Sequence, residues 1–381
     1  VVKPGYRLNV LGFLASADVP GNFGFWDIRL ALEWTYKNIS YLGGNPRNIT
    51  VGGYSAGAQA AFHQLSYDLV QPIEKRLIRR VIMHSNGPGL QPKSVKEAQT
   101  QFNELLSVIG IGKDAPNKMD LLRQTTAIEL VKATQKMKFH QFRAVSDGEF
   151  VRKDLFAEIT DGTFGKRLLE NNVMLLIGEC ADEHFAYGRY KTPGPSYNAL
   201  SARFQADYPK EAVKSIMKFY FPDQKLPARW KDWNEAFGKV YANMQIHVSE
   251  RGFINGLVKG GATDLIDRYR IEWRAECADE TSPRSFGATH GSDMPIWWYG
   301  DGRDLTFQEQ SIVRKALLGN LAQFIAGKKM NWETNGPYQI RRFKADGSID
   351  ITTDPLWNEA LEDWKSVGFG IVDLPIGKAR F

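Results

Sequence analysis

Ile49-Thr50-Val51-Gly52-Gly53-Tyr54-Ser55-Ala56-Gly57-Ala58 is the stretch whose reading decides the fold. Its β-branched start running into a glycine pair reads as a buried strand over residues 49–54, and residues 56–69, rich in Ala, Gln and His, read as a helix. Gly53-Tyr54-Ser55-Ala56-Gly57 therefore sets Gly-x-Ser-x-Gly between a strand and a helix, the context that motif requires. A tight, strained turn at this point pushes the Ser55 hydroxyl out of the sheet. Small flanking residues let strand and helix approach, and the helix N-terminus favours developing negative charge. The alternative is a glycine-rich turn with an idle serine. Ser55 is read here as a nucleophile.

Outward from this element, short apolar runs alternate with helical segments. Val81-Ile82-Met83 precedes the turn cluster Asn86-Gly87-Pro88-Gly89, residues 173–177 (VMLLI) end at Gly178, and residues 269–273 (YRIEW) carry aromatic and β-branched side chains. Strands separated by helices predict a mostly parallel sheet with helices on both faces. Two helical insertions are expected over residues 94–137 and 196–257. In the second, Trp230, Trp233, Phe237 and Tyr241 recur at spacings of three and four, as on a helix face packed against a core. A helix over residues 307–326 and an edge hairpin around Asp346-Gly347 close the pattern. No domain boundary and no repeat interrupts it, so residues 1–381 are read as one domain.

A serine needs a base, usually a histidine oriented by a carboxylate. Of six histidines, His63 lies too far along the helix to face Ser55, and His84 adjoins the end of a strand. His140 and His247 fall in insertions, and His184 follows a carboxylate pair. His290 sits in the glycine-flanked loop Gly287-Ala288-Thr289-His290-Gly291-Ser292-Asp293 beyond the fourth strand, on the side where open α/β sheets build their sites. By the same rule the acid comes from residues 178–184 (GECADEH), where Glu179, Asp182 and Glu183 stand near parity. The order Ser, acid, His is that of α/β-hydrolases.

Composition sets bounds. Hydrophobic residues are 43% and charged residues 24% of 381, ordinary for a globular chain. The formal charge of +6 is scattered, densest at Lys75-Arg76 and Arg79-Arg80, and forms no stripe or arm of the kind nucleic acids select. No run approaches the roughly 18 apolar residues of a membrane-crossing helix. Cys180 and Cys277 make no disulfide framework, and Asn38 and Asn48 head sequons that arise readily by chance. Compartment and oligomeric state are not encoded in these features.

With these residues in place, the chain resembles the type B carboxylesterase/cholinesterase family, in a fungal-type form. The resemblance is carried by Gly5-Tyr6-Arg7-Leu8-Asn9-Val10-Leu11-Gly12-Phe13-Leu14, by Gly21-Asn22-Phe23-Gly24-Phe25-Trp26-Asp27, and by Gly43-Gly44-Asn45-Pro46-Arg47-Asn48-Ile49-Thr50 leading into the Ser55 turn. Leu176-Ile177-Gly178 with Asp182-Glu183, and His290-Gly291-Ser292-Asp293-Met294-Pro295, carry the rest. It implies the α/β-hydrolase fold and a catalytic set of Ser55, Glu183 and His290. Ala56 N–H supplies part of the oxyanion hole, and Ser85 a hydroxyl beside the triad. The substrate implied is a small or medium apolar ester, with no metal or organic cofactor, and secretion is the compartment it favours. Trp297, Trp298 and Tyr299 could line a pocket or pack under the histidine loop, and Cys180 and Cys277 could form a bridge or stay as thiols.

Three departures stand out. Tyr54 replaces the family's usual Glu, and His184 replaces the Gly after the acid. The third is a His-Gly-Gly-Gly-type loop that would precede Val1, carrying two oxyanion donors. The resemblance therefore predicts an N-terminally incomplete chain lacking its first strands. With one oxyanion donor worth roughly 10²–10³ in rate, such a fragment would be a feeble enzyme. A rival class stays open: a non-catalytic adhesion or binding module on the same fold, as fold alone does not set function.

Overall fold

The computed structural model describes residues 1–367. Eight strands are present among them: β1 Ile49–Tyr54, β2 Ile78–His84, β3 Lys93–Ser94, β4 Val145–Ser146, β5 Met174–Cys180, β6 Ile266–Ile271, β7 Gln339–Phe343 and β8 Ile349–Thr353. Six of them form one sheet in the order β1-β2-β5-β6-β7-β8. The first five run parallel, and β8 turns back antiparallel on β7. The two-residue strands β3 and β4 pair apart from it, at the base of an insertion.

Side-chain alternation on the central strands builds two cores. Val81 and Met83 of β2 and Leu175 and Ile177 of β5 join the larger core with Phe62 and Leu65 of the helix Ala56–Asp68. Ile82, Leu176 and Cys180 point the other way, into a core with Tyr269, Ile271, Trp297 and Leu317. Burial on both faces explains why β2 and β5 read as nearly continuous apolar runs. The insertion helices Val95–Val108 and Ala127–Lys136 each begin in a capping box, Ser94 with Glu97 and Thr126 with Glu129. Phe102, Leu105, Leu106 and Leu130 from them pack on Val10 and Leu14 in a third cluster.

The expected elements are present, with two shifts. The run at 173–177 continues through Cys180, because each residue to that point has a partner on β6. The run at 269–273 begins earlier, at Ile266, and ends at Ile271, since its partner β5 turns away after Cys180. Residues 1–8 are irregular, and Arg7 is tied to Asp27 through its backbone and guanidinium. Among the described residues β1 pairs only with β2 and is half-exposed, and Leu30, Trp34, Tyr41 and Leu42 are exposed nearby. The Asp346-Gly347 turn lies between β7 and β8, with Gly347 at φ 80°. Asn48 is a turn residue as read, its N–H on the Asn45 carbonyl. No helix among the described residues is long and apolar enough to cross a membrane.

Behind β5 lies a buried ionic network. Arg251 donates to both oxygens of Glu179 at 2.9 Å and to Asp354 at 3.0 Å, and Arg268 links Asp354 at 2.7 Å to Glu250 at 3.2 Å. Arg270 and His247 complete the shell of Glu179. Burial alone would raise the Glu179 carboxyl, but Arg251, His247 and Arg270 hold it well below the usual carboxylate range. Asp354 is depressed in the same way by Arg251 and Arg268 against its burial. Replacing Arg251 by Met takes one charged partner from each of two buried carboxylates and should cost about 3–5 kcal/mol in chemical denaturation at neutral pH. A depressed carboxyl stabilises the fold above its unfolded pKa of about 4, and that contribution disappears as pH falls through the folded value. The difference between Arg251→Met and the parent should therefore shrink below about pH 4.

Candidate active site

Register brings the site together. Tyr54 lies opposite His84, His84 opposite Gly178, and Gly178 opposite Tyr269, so the carboxyl ends of β1, β2, β5 and β6 open onto one rim. Ser55 follows β1 with φ 55° and ψ −119°, outside the regions an L-residue ordinarily occupies. Its N–H is held by the His84 carbonyl at 2.9 Å. The turn closes only because Gly53 lacks a side chain: a Cβ there would overlap the Gly57 carbonyl. The N–H of Ala56 then sits at the first position of the helix, where no intrahelical acceptor exists.

The loop after β5 turns Glu183 back toward the strand. Glu183 is fully buried, and its Oε1 accepts from Cys180 N–H at 2.9 Å. Its Oε2 lies 2.5 Å from His290 Nδ1, and His290 Nε2 lies 2.7 Å from Ser55 Oγ. The serine, imidazole and Glu183 picked out in the sequence are thus one hydrogen-bonded chain. Asp182, close to parity with Glu183 by spacing, instead clips the two loops together: its N–H donates to the Ala288 carbonyl at 2.9 Å, and its carboxylate accepts from Ala288 N–H at 3.2 Å. Glu179 is inside β5 and belongs to the ionic network.

No other imidazole among the described residues is hydrogen-bonded to Ser55. His63 is buried against Phe25 and Phe62 with neither nitrogen bonded, and burial pushes it down to about 3. His84 pairs its Nδ1 with the Tyr269 hydroxyl at 2.8 Å, His140 rests on the Lys138 carbonyl, and His247 is on Glu179 at 2.6 Å. His184 is buried against Phe185, and burial, with Lys239 and His247 nearby, lowers it to about 4.

Two tyrosines that spacing did not single out as a pair flank the imidazole. The rings of Tyr54 and Tyr187 each stand 4.8 Å, centroid to centroid, from His290. The Tyr187 hydroxyl is 3.5 Å from His290 Nε2 and within hydrogen-bonding reach of Ser55. Tyr54 was noted only as a substitution; its position beside the nucleophile was the available signal. Tyr187 carried none, because its approach depends on the helix His184–Tyr187 folding over the site. Beneath them, burial and the Glu183 charge push the Asp293 carboxyl up to about 6. Trp297 donates to Asp293 at 3.0 Å and packs on His84 and Tyr269, so it supports the histidine loop from below. Tyr299 is tied to Gln310, and Trp298 is about half exposed. Ser85 is buried at φ 51° beside the Cys180 thiol and makes no hydrogen bond to Glu183. Cys180 and Cys277 are both free thiols.

A sheet of this topology with a strained serine at its rim defines a serine hydrolase of the α/β-hydrolase fold. The sequence profile of the carboxylesterase family matches residues 1–361, and the chain belongs to that family. A carboxylic ester hydrolase of Gibberella moniliformis is 42% identical over 97% of this chain and 71% of its own length. An uncharacterized esterase/lipase of Schizosaccharomyces pombe is 38% identical with the same coverage. Among solved structures, EstA of Aspergillus niger superposes with a TM-score of 0.72 over 96% of this chain and 74% of its own, at 20% identity, a likeness of fold. The protein is a carboxylesterase that acts on a small-molecule ester.

Gly53→Ala tests the turn. Because the new methyl meets backbone, the overpacking cost should reach the upper part of the usual range, about 3 kcal/mol, read as a lowered denaturation midpoint with ester hydrolysis lost in parallel.

Proposed function

We propose that Ser55, His290 and Glu183 hydrolyse a small or medium ester through an acyl-enzyme. His290 Nε2 accepts the Ser55 proton as Oγ attacks the ester carbonyl carbon. Glu183, accepting from Nδ1–H, holds the tautomer and stabilises the imidazolium. Ala56 N–H donates to the oxygen of the tetrahedral adduct. The adduct collapses as the carbon–oxygen bond to the alcohol breaks and His290 protonates the departing oxygen, leaving the acyl group on Ser55. Water, deprotonated by His290, then attacks the acyl carbon. The second adduct releases the carboxylic acid, and the proton returns to Ser55. The Tyr54 and Tyr187 rings restrict the imidazole to the plane in which it meets both partners.

The observation that carries this reading is the continuous chain from Ser55 Oγ through His290 to Glu183, at 2.7 and 2.5 Å. The length of the second contact and the full burial of Glu183 fit a carboxylate whose partner becomes charged during turnover.

An organophosphonate probe should label Ser55 and no other residue. Ser55→Ala should lower kcat by about a millionfold and Glu183→Gln by about ten-thousandfold, with melting temperatures close to the parent. Undiminished ester hydrolysis by Ser55→Ala removes the scheme. Tyr187→Phe keeps the ring against His290 and deletes only the hydroxyl; it should lower kcat by about tenfold while leaving KM within about twofold, as expected for a neutral hydrogen bond at the reacting atoms.

A further inference from the structure

We propose that a polar cavity beside the catalytic groups is an anion subsite, taking a carboxylate or similarly charged group carried by the ester substrate. The proposal rests on the hydrolase reading above and specifies the class of ester. The hollow is small, with a cavity volume of about 20 Å³. That suffices for one small polar group. Gln59, Gln91, Arg143, Asp207, Tyr208 and Gln245 supply its polar lining.

The charges around it do not balance. Asp207 is fully buried and is shared by two guanidinium groups, Arg143 through Nε and Arg203 through Nη1. Lys93 joins them electrostatically; its Nζ donates to the carbonyls of Gln205 and Ala206 at 2.8 and 2.9 Å and meets no carboxylate. Glu97, the other carboxylate near Lys93, is half-buried and engaged with Ser94 and the Lys210 N–H. Three cations thus surround one buried carboxylate, and burial together with Arg143 lowers the Lys93 ammonium to about 8 against the pull of Asp207 and Glu97. Arg143 spends Nε on Asp207 and Nη2 on the Tyr241 hydroxyl at 2.6 Å, which leaves Nη1 without a partner among the described residues. The Gln59 side-chain amide, in the lining, has no hydrogen-bond partner among the described residues either, while the unbonded Arg203 Nη2 lies outside the lining. Uncompensated buried charge is expensive, and an arriving anion offsets that cost. Unsatisfied donors facing a polar hollow specify an acceptor.

Two connections join the cavity to the nucleophile. Gln59 is a turn beyond Ser55 on the same helix, with its N–H on the Ser55 carbonyl at 3.1 Å. Tyr241, which holds Arg143, packs 5.0 Å from Tyr187, whose hydroxyl lies at His290. An ester whose reacting carbonyl is at Ser55 can therefore extend a short charged arm toward Arg143.

The test compares para-nitrophenyl hydrogen glutarate with the neutral ester in which an isopropyl group replaces its carboxylate, and adds 4-acetoxybutanoate, with its own isopropyl analogue, to place the charge on the alcohol side. Arg143→Gln should lower the ratio of kcat/KM for charged over neutral ester by about 10- to 100-fold, and Arg143→Lys should restore part of it. Whichever charged ester responds shows whether the subsite serves the acyl or the alcohol arm. In parallel, acetate and inorganic phosphate are titrated against Ser55→Ala, with the melting temperature read with and without Arg143→Gln. A ratio that Arg143→Gln leaves unchanged for both charged esters overturns the proposal, even if free acetate or phosphate binds, since the site would then serve a free anion. Ser55 labelling by the phosphonate separates this failure from failure of the hydrolase reading. If Ser55 does not label, anion binding to Ser55→Ala that ignores Arg143 overturns the subsite as well.

Discussion

The parallel hydrogen-bond ladder across β1, β2, β5 and β6 is the constraint on which the site depends. Its register places Tyr54, His84, Gly178 and Tyr269 in one row, so the chain leaves each strand at the same rim. Three side chains more than a hundred residues apart then meet without any of their loops being long. A one-residue slip of β5 against β2 would exchange its two faces, sending Leu175 and Ile177 into the wrong core and carrying the Glu183 loop away from His290. The two cores therefore hold the chemistry as well as the fold.

The ionic network serves the same end from behind. Glu179 and Glu183 are four residues apart, both buried, yet their surroundings give them different roles. Glu179, on the face toward the helix Val248–Lys259, is neutralised by Arg251, Arg270 and His247. Glu183 meets no arginine; its partners are one backbone N–H and one imidazole. An acid matched to a histidine alone is free to stabilise that histidine's positive form, whereas an acid held by two guanidinium groups is already compensated. The arginines of the network keep β5 in place, and Asp182 ties its following loop to the histidine loop.

Around the imidazole the chain has replaced an expected carboxylate by the phenol of Tyr54. The change leaves Glu183 and Asp293 as the acids near His290, with Asp293 raised to about 6 by burial and by Glu183. Tyr54 and Tyr187 both pack tilted against the ring, and Tyr187 continues into Tyr241 and the arginines that surround Asp207. A run of aromatic contacts thus links His290 to the charged hollow.

Much of this was legible locally. The strand, turn and helix around Ser55 follow from β-branched residues, a glycine with no room for a Cβ and an alanine-rich helix, all within twenty residues. The loop of His290 carried its glycines, and the β7–β8 hairpin carried Asp346-Gly347. What residue spacing left open depended on neighbours distant along the chain: Glu183 rather than Glu179 or Asp182, a choice made only by the family resemblance, Trp297 beneath the loop, the approach of Tyr187, and the arginines of the cavity. The end of β6 at Ile271 belongs with these, since it is set where its partner turns away. A turn is decided by the backbone freedom of the residues in it, so its sequence states it. The role of a carboxylate is decided by which charges surround it, and Arg251 and His290, 72 and 107 residues from the acids they engage, are brought there by the packed sheet alone.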